Sequence, residues 1–351
     1  MKIKTPKGKR EIGPGNPVFI VAEMSGNHNQ DIKKAFKIID AAAYAGVDAV
    51  KLQTYTADTI TINSDRKWFK INKGPWKGKT LYELYKSAYT PWEWQKKLKK
   101  YAEKKGLVVF SSPFDETAVD FLEKLKVELY KVASFEVVDM GLLEKIGQTK
   151  KPVIISRGMA NLEEIKLAIK TLRQNGSKQI AILHCISDYP ADPKDMNLAT
   201  IPDLAKKFGV VSGLSDHTLG ITTSIAAVAL GASIIEKHLT IDRSEGGPDA
   251  GFSLEPQELK ELVNAIREVE LSIGKPQFSS IKKEDINKTF RRSLFVVKDI
   301  RKGEKFTREN VRSIRPGHGL ATKYFKKILG KSASFDIEAG TPLSWKLIKN
   351  L

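Results

Sequence analysis

Residues 210–238 read VVSGLSDHTLGITTSIAAVALGASIIEKH, a segment with a short apolar run at each end and a longer stretch between them. The runs 210–215 and 234–238 are rich in β-branched and other apolar residues, which predicts strands. The stretch between them has the length and period of a helix. A strand, a helix and a second strand in this order are typical of a parallel sheet with crossover helices.

The same alternation extends over residues 17–272. We predict eight strands, at residues 18–22, 49–53, 108–112, 129–132, 153–156, 180–185, 210–215 and 234–238. Eight strands, each followed by a helix candidate, favour a closed α/β fold, the (β/α)8 TIM barrel, over an open doubly wound sheet. We expect this barrel domain to cover residues 1–273.

The rest of the chain has a different pattern. Residues 274–290 are polar and carry lysines, and their apolar residues keep no period, which predicts a linker. Residues 291–351 contain two similar strand-turn units and predict a small, mostly β domain. Since so short a segment forms only a small core, we expect it to lean on the barrel or on a neighbouring subunit.

The composition argues against several classes of protein. The chain has 351 residues, with 59 Lys and Arg against 41 Asp and Glu, and a formal charge of +18. Its lysines spread over predicted helix surfaces without a nucleic-acid fold signature, so we expect no nucleic-acid partner. It lacks a secretion signal and an apolar stretch of the ~18 residues that a membrane span needs. The single cysteine, Cys185, leaves no intrachain disulfide, and we expect a cytoplasmic protein.

Polar residues stand at the carboxyl end of every predicted strand, and these ends converge on one face of a barrel. They are Glu23; Lys51 and Gln53; Ser111 and Ser112; Lys131, Ser134 and Glu136; Ser156 and Arg157; His184 and Ser187; Ser215, Asp216 and His217; and Glu236, Lys237 and His238. We expect two of these lysines, Lys51 and Lys131, near the barrel axis among serine hydroxyls. Together they indicate a site for a phosphate and a carboxylate. The alternative is that one lysine forms a structural ion pair with Glu23 or Glu136.

Two histidines, His217 and His238, end consecutive strands. Their imidazoles are therefore expected side by side at the barrel mouth, where both can ligate one metal ion. Asp216, Glu236 and Asp249 are expected near them. Imidazole donors suit zinc and iron as well as manganese, so the residues themselves do not choose the metal.

Several ordered motifs carry a resemblance to a known family. They are FIVAEMSGNHN from Phe19, DAVKLQ from Asp48, FSSPF from Phe110, YKVASFE from Tyr130, LHCISDYP from Leu183, GLSDHT from Gly213 and IIEKHLTID from Ile234. The chain resembles the sialic acid synthase family over nearly its whole length. KDIRKGEKFTRENV from Lys298 and IRPGHGL from Ile314 resemble that family's SAF, or antifreeze-like, domain.

The resemblance implies a transferase that joins C3 of phosphoenolpyruvate to the aldehyde of an N-acetylated amino sugar. Phosphate then leaves by C–O cleavage. It also implies residue roles, with Glu23, Glu136, His217 and His238 as the catalytic residues. The phosphoenolpyruvate contacts it implies are Lys51, Ser112, Lys131, Ser134, Ser156 and Ser187, to which we add Ser215 at the adjoining strand end.

Other positions match the sugar and metal sites of the family. Glu23, Gln53, Tyr189 and Asp249 match residues that face the amino sugar, and Glu136 matches a proton-handling carboxylate. The two histidines match ligands of a divalent metal, usually Mn²⁺, with Mg²⁺ or Co²⁺ as alternatives. Arg315 matches an arginine that the SAF domain inserts into the active site of the other subunit, so the resemblance implies a domain-swapped homodimer.

The long insert after the second strand distinguishes members of the family. NSDRKWFKI from Asn63, GPWKG from Gly74 and LYELYKSAYTPWEW from Leu81 resemble pseudaminic acid synthases most. This implies 2,4-diacetamido-2,4,6-trideoxy-L-altrose as the sugar, with Trp76 forming part of an apolar wall of the sugar pocket. The alternative is that Trp68 and Trp76 only pack the loop. The alternatives are an N-acetylneuraminate or legionaminate synthase and, from another class, a noncatalytic carbohydrate-binding barrel.

Overall fold

The computed structural model describes residues 1–349, which form two compact units, Met1–Gly274 and the described residues from Lys275 onward. The strands are β1 (Lys2–Thr5), β2 (Gly8–Glu11), β3 (Phe19–Glu23), β4 (Ala49–Thr54), β5 (Val108–Pro113), β6 (Tyr130–Val132), β7 (Val153–Ser156), β8 (Ile180–Cys185), β9 (Val211–Asp216), β10 (Ile234–His238), β11 (Ser293–Val296) and β12 (Val311–Ile314). The α-helices are α1 (Ile32–Ala45), α2 (Ala57–Ile60), α3 (Leu81–Ala88), α4 (Trp92–Lys104), α5 (Glu116–Lys124), α6 (Met140–Gln148), α7 (Leu162–Gln174), α8 (Thr200–Phe208), α9 (Thr222–Ala229), α10 (Pro256–Ile273), α11 (Lys282–Asp285) and α12 (Phe325–Ile328).

Strands β3 to β10 close into a parallel barrel in which β10 pairs with β3. The predicted TIM barrel is therefore confirmed, and the predicted strand bounds differ from the observed ones by at most one residue. Alternate residues of each strand face the barrel interior and the surrounding helices. Phe19 and Val21 fill the interior with Ile234, whereas Ile20 and Ala22 pack in the layer that contains α1.

The inward-facing rows change character along the strands. In β3 the row runs Phe19, Val21, Glu23, and β10 pairs with it in register through Ile234, Glu236 and His238. The amino-terminal half of the interior is thus an apolar plug, and the carboxyl-terminal half is charged. Both halves are buried, so the polar half is held by a rigid base.

Two features of the first unit were not predicted. An antiparallel hairpin of β1 and β2 precedes the barrel. The apolar plug includes Ile3 of β1 and Ile12, the residue that follows β2. Helices α2 and α3 lie in the insert after β4. Helix α3 begins with a capping box between Thr80 and Glu83.

The second unit is a small domain with one two-stranded antiparallel sheet, β11 with β12. Isolated bridges such as Ile300 with Ile337 extend its β character, and Leu294, Val296 and Phe306 lie in its core. Of the predicted linker, residues 274–290, all but the first residue group with this unit, and they contain α11 and a 3-10 turn, Ile286–Phe290. Within residues 1–349 no helix is both long and apolar enough to cross a membrane.

Candidate active site

Four charged side chains form a buried cluster at the carboxyl end of the barrel interior. Lys51 Nζ lies 2.5 Å from Glu23 Oε2 and 3.6 Å from Glu236 Oε1. Lys131 Nζ lies 3.5 Å from the same Glu236 oxygen. The ion pair between a lysine and Glu23, which we considered as an alternative, is therefore observed. It is part of a network of two lysines and two carboxylates.

Serine hydroxyls surround this charged cluster. Lys131 donates a hydrogen bond of 2.7 Å to Ser156 Oγ, and Lys51 donates one of 3.5 Å to Ser112 Oγ. Ser215 donates to Glu236 over 3.0 Å. On the adjoining loops the hydroxyls of Ser134 and Ser187 lie 2.8 Å apart and bond to each other. The structure thus brings Lys51 and Lys131 together with four of the predicted serines on one side of the mouth, Ser112, Ser134, Ser156 and Ser187. The fifth predicted serine, Ser215, lies beside Glu236.

Burial alters the proton affinity of these groups. Burial raises the pKa of Glu23, although Lys51 opposes the shift. Burial lowers the pKa of Lys131, whereas the two carboxylates outweigh burial at Lys51 and raise its pKa. The two carboxylates, Glu23 and Glu236, neutralise the two lysines. A bound dianion can therefore replace them as the partner of the ammonium groups, if a carboxylate takes up a proton or shifts its side chain.

A chain of polar contacts leads from this cluster toward the loop after β10. Gln53 Nε2 donates to Glu23 Oε1 over 3.2 Å and to Ser25 Oγ over 3.0 Å. Ser25 Oγ in turn donates to the partly buried carboxylate of Asp249. Ser25 has a left-handed backbone, with φ of 47°, and its amide donates to Glu23. These groups present oxygens and an amide to a ligand that carries hydroxyls.

An aromatic wall completes this side of the mouth. The Tyr189 ring lies 5.7 Å from Trp76 and 5.1 Å from Phe252, measured between ring centroids. Trp76 Nε1 donates a hydrogen bond of 2.7 Å to the carbonyl of Pro248, which joins the insert to the loop that carries Asp249. A cavity of about 660 Å³ lies between them. Trp76 therefore does more than pack its own loop.

The two histidines lie side by side as predicted, with ring centroids 5.5 Å apart. Nδ1 of His217 donates to the carbonyl of Ile186 over 2.8 Å, which leaves Nε2 as a lone-pair donor. Nδ1 of His238 is buried without a hydrogen-bond partner, 4.0 Å from Asp249 Oδ2. Burial lowers the pKa of His238 well below its usual range and keeps the ring neutral.

A divalent metal fits these two histidines, because the bond from His217 Nδ1 to a carbonyl leaves its Nε2 for a metal, and Nδ1 of His238 is buried without another partner. Among residues 1–349 no group of three or more His, Cys, Asp or Glu side chains is arranged to hold a metal. The protein would therefore supply two imidazoles and leave the remaining positions open to water and substrate, as catalytic sites do.

Several strand-end residues face away from the mouth. Lys237 and Asp216 form a fully buried ion pair of 2.9 Å, and Asp216 also accepts a hydrogen bond from Ser224 of α9. Ser111 bonds to Thr54, whose hydroxyl reaches Gln95 of α4. His184 bonds to Arg157 and to the carbonyl of Met196. These residues fix the strands to the helix layer because adjacent strand positions point to opposite faces.

Glu136 lies on a 3-10 turn after β6, with Oε2 buried and without a hydrogen-bond partner. Burial raises its pKa from 4.5 to about 7. Because the folded protein then holds a proton that the unfolded chain has released, we expect its contribution to stability to fall as pH rises from 4.5 to 7. Glu136→Gln should remove this pH dependence of the free energy of unfolding, which amounts to at most about 3 kcal/mol above pH 7.

Urea unfolding of both proteins between pH 5 and 8 tests this expectation. Parallel stability profiles for wild type and Glu136→Gln would contradict the raised pKa.

Two residues of the site, Ser25 and Phe252, were not among the predicted ones. Glu236 was predicted near the histidines, but not as a partner of both lysines. Glu236 stands two residues before His238, so strand alternation alone places it on the same face. Ser25 and Phe252 lie on loops, where no such period applies. Arg315 belongs to the second unit, where it is exposed just after β12.

Comparison with known proteins extends this description. Residues 38–278 match the model of the NeuB family, and residues 291–349 match that of the SAF domain. Pseudaminic acid synthases from Campylobacter jejuni and Helicobacter pylori are each 44% identical to the chain and cover 93% of it; the alignments span 95% and 97% of those proteins, respectively. The crystal structure of an N-acetylneuraminic acid synthetase from Leptospira borgpetersenii is similar with a TM-score of 0.72 and 34% identity. That match covers 82% of this chain and 95% of the other.

Proposed function

The chain belongs to the NeuB family, and from this we propose that it condenses phosphoenolpyruvate with an amino-sugar aldehyde as a pseudaminic acid synthase does. The sugar we assign is 2,4-diacetamido-2,4,6-trideoxy-L-altrose, and the products are pseudaminic acid and phosphate. The observation that carries the reaction class is the buried pair Lys51 and Lys131, set among serine hydroxyls at the strand ends that also carry the two adjacent histidines.

The lysine side of the mouth suits phosphoenolpyruvate. Its phosphate and carboxylate need cations and short donors in a site that excludes water, where charge-assisted hydrogen bonds are strongest. Lys51 and Lys131 supply the cations. The hydroxyls of Ser112, Ser134, Ser156 and Ser187 supply the donors around them.

The aldehyde would lie between the lysines and the aromatic wall. C3 of phosphoenolpyruvate attacks the aldehyde carbon to form the new C–C bond, and the aldehyde oxygen takes a proton. Water adds at C2, and breaking of the bond from C2 to the phosphate oxygen releases phosphate and leaves a ketone. Glu136 has a pKa of about 7 and is suited to transfer a proton near neutral pH. Glu23, beside Lys51, is the second carboxylate within reach of these steps.

When bound to His217 and His238, a divalent metal supplies Lewis-acid polarisation of the aldehyde. We propose Mn²⁺, with Mg²⁺ or Co²⁺ as alternatives. The free, buried thiol of Cys185 agrees with a reducing compartment, and we place the enzyme in the cytoplasm.

Phosphate release with Mn²⁺ and each of three sugars tests the proposal. The altrose derivative should support the fastest release, and a chelator should abolish it. Faster release with N-acetylmannosamine or with the legionaminate precursor would support the proposed reaction but contradict the assigned sugar. The enzyme would then be an N-acetylneuraminate or legionaminate synthase. No release with any sugar would favour the noncatalytic barrel.

The insert predicts a role for Trp76 in sugar choice. Trp76 lies against Tyr189 and holds the loop of Asp249 through Pro248, so Trp76→Ala should open the apolar wall. We expect kcat/KM for the 6-deoxy sugar to fall roughly tenfold or more, with a smaller loss for N-acetylmannosamine. Trp68→Ala is the matched control, because Trp68 lies on the same insert but is 74% exposed. Equal losses for both sugars would contradict a role in selectivity.

We further propose that the active site is completed by a second subunit. Three apolar side chains on loops at the mouth, Phe135, Val138 and Met159, are each more than half exposed. Exposed large apolar side chains on the connections after β6 and β7 suit an interface with a second subunit. Arg315 is exposed and, within residues 1–349, has no ion-pair partner, so it is free to bind an anionic group in trans.

Mixed dimers test this proposal. Arg315→Ala and His238→Ala homodimers should both be inactive, but their mixed dimer holds one site with an intact barrel and an arginine from the other chain. An equal mixture that exchanges subunits at random should regain about a quarter of wild-type activity. An inactive mixture, despite subunit exchange shown by mass spectrometry, would mean that the arginine does not act in trans.

A further inference from the structure

An open cleft lies at the end of the barrel opposite the active site. Its volume is about 770 Å³, in the range of small-ligand sites. One wall is the hairpin of β1 and β2. The other is formed by residues that precede strands β6, β7 and β8, including Lys126, Lys150 and Gln179. The backbone amide of Lys2 donates to the side chain of Gln179 over 2.6 Å, so the walls are joined.

The cleft is strongly basic. Its lining residues are Lys2, Ile3, Lys4, Lys9, Arg10, Glu11, Lys126, Val127, Glu128, Lys150, Lys151, Pro152 and Gln179. Two of these cations are neutralised, because Arg10 pairs with Asp48 and Lys151 with Glu123. Within the part of the chain that the structure describes, the other five lysines have no ion-pair partner, and only Glu11 and Glu128 oppose them.

The hairpin places like charges opposite each other. In the register of β1 and β2, Lys4 pairs with Lys9, and both point to the same face. Directly opposed like charges destabilise an antiparallel pair. Because the hairpin buries Ile3 in the plug below the barrel, the register that sets Lys4 opposite Lys9 cannot shift to move them apart. An anion bound between them would relieve this repulsion.

Two more lysines occupy strained backbone on the facing wall. Lys126 follows α5 and Lys150 follows α6, with φ of 56° and 61°. Glycine is the usual residue at such left-handed positions after a helix. Attraction to the helix carboxyl terminus explains a lysine at each turn taken alone. It does not explain why both turns line the cleft that also holds Lys4 and Lys9.

We propose that this cleft binds a compact multivalent anion of the di- or triphosphate class. Lysines are point charges suited to phosphate, and the planar fork of Arg10, which would suit a carboxylate, is already committed to Asp48. The described lining has no aromatic side chain for stacking a base, so the phosphates carry the recognition and a nucleic-acid strand is disfavoured. The site lies outside the catalytic machinery of the proposed function.

Calorimetric titration of the full-length protein with inorganic tripolyphosphate tests the proposal. Lys4→Gln/Lys9→Gln should weaken binding roughly tenfold or more. The matched control is Lys97→Gln/Lys100→Gln, which removes the same charge from exposed positions of α4. Hydrogen exchange should slow in residues 2–11 when tripolyphosphate binds.

A second readout separates lost binding from lost folding. Without ligand, the hairpin variant should melt at the same temperature as wild type or higher, since the like-charge pair is gone. Equal weakening in the control, or protection of the catalytic mouth in place of residues 2–11, would overturn the proposal. Tighter binding of a short oligonucleotide that depends on Lys4 and Lys9 would assign the cleft to nucleic acid and also overturn it.

Discussion

Replacement of His238 by alanine is expected to reduce phosphate release by at least ~10³-fold while the barrel remains folded. The ring is neutral and buried, and its Nδ1 has no hydrogen-bond partner in the protein, so its lone pair is available to a metal ion. Within residues 1–349 the mouth offers a metal these two imidazoles and no larger ligand group, so loss of one leaves a single protein ligand. His217→Ala should have the same effect, because its Nδ1 is fixed by the Ile186 carbonyl and its Nε2 is free.

Two measurements separate a metal-binding role from a purely structural one. Manganese binding, followed by the loss of the free-ion signal in electron paramagnetic resonance, should weaken by 10- to 100-fold or more in either variant. Wild-type protein treated with chelator is the matched comparison, and its activity should return with added Mn²⁺ whereas that of the variants should not. Full activity in both alanine variants would end the metal proposal.

The barrel was predictable because its strands are buried on both faces. Such strands form continuous apolar runs that stand out from the amphipathic helices between them. The hairpin gave no comparable signal, since KIKT and GKRE are mostly polar and buried only through Ile3. Helix α3 did carry a signal, the capping box of Thr80 and Glu83, within a loop that glycines and tryptophans made irregular.

The site was predictable in position more than in detail. Strand ends of a closed barrel must converge, so the lysines and histidines could be placed together from the order of strands alone. Strand parity then separates Ser215 and His217, which face the mouth, from Asp216, which faces α9. Glu23 lies opposite Lys51 in the register of β3 and β4 and was among the predicted partners. Glu236 could not be chosen from sequence, because it comes within reach of Lys51 only when β10 closes against β3.

Lys51→Met is expected to impair both stability and catalysis. Removal of one partner from a buried charge network leaves an uncompensated charge and costs about 3–5 kcal/mol of folding free energy. Here the uncompensated group is Glu23, which is fully buried and whose pKa is already raised by that burial. The same substitution removes a cation that we assign to phosphoenolpyruvate, so kcat/KM should fall by ~10³-fold or more.

The double variant Glu23→Gln/Lys51→Met distinguishes these two effects. Loss of both charges removes the uncompensated carboxylate, so urea unfolding should show most of the lost stability restored. Activity should stay low, because Lys131 with its hydrogen bond to Ser156 would be the one lysine of the described cluster left for the phosphate and the carboxylate. If the double variant regains activity along with stability, Lys51 serves the fold rather than the substrate. Wild-type stability of Lys51→Met at pH 7 would instead mean that Glu23 is held neutral without the lysine.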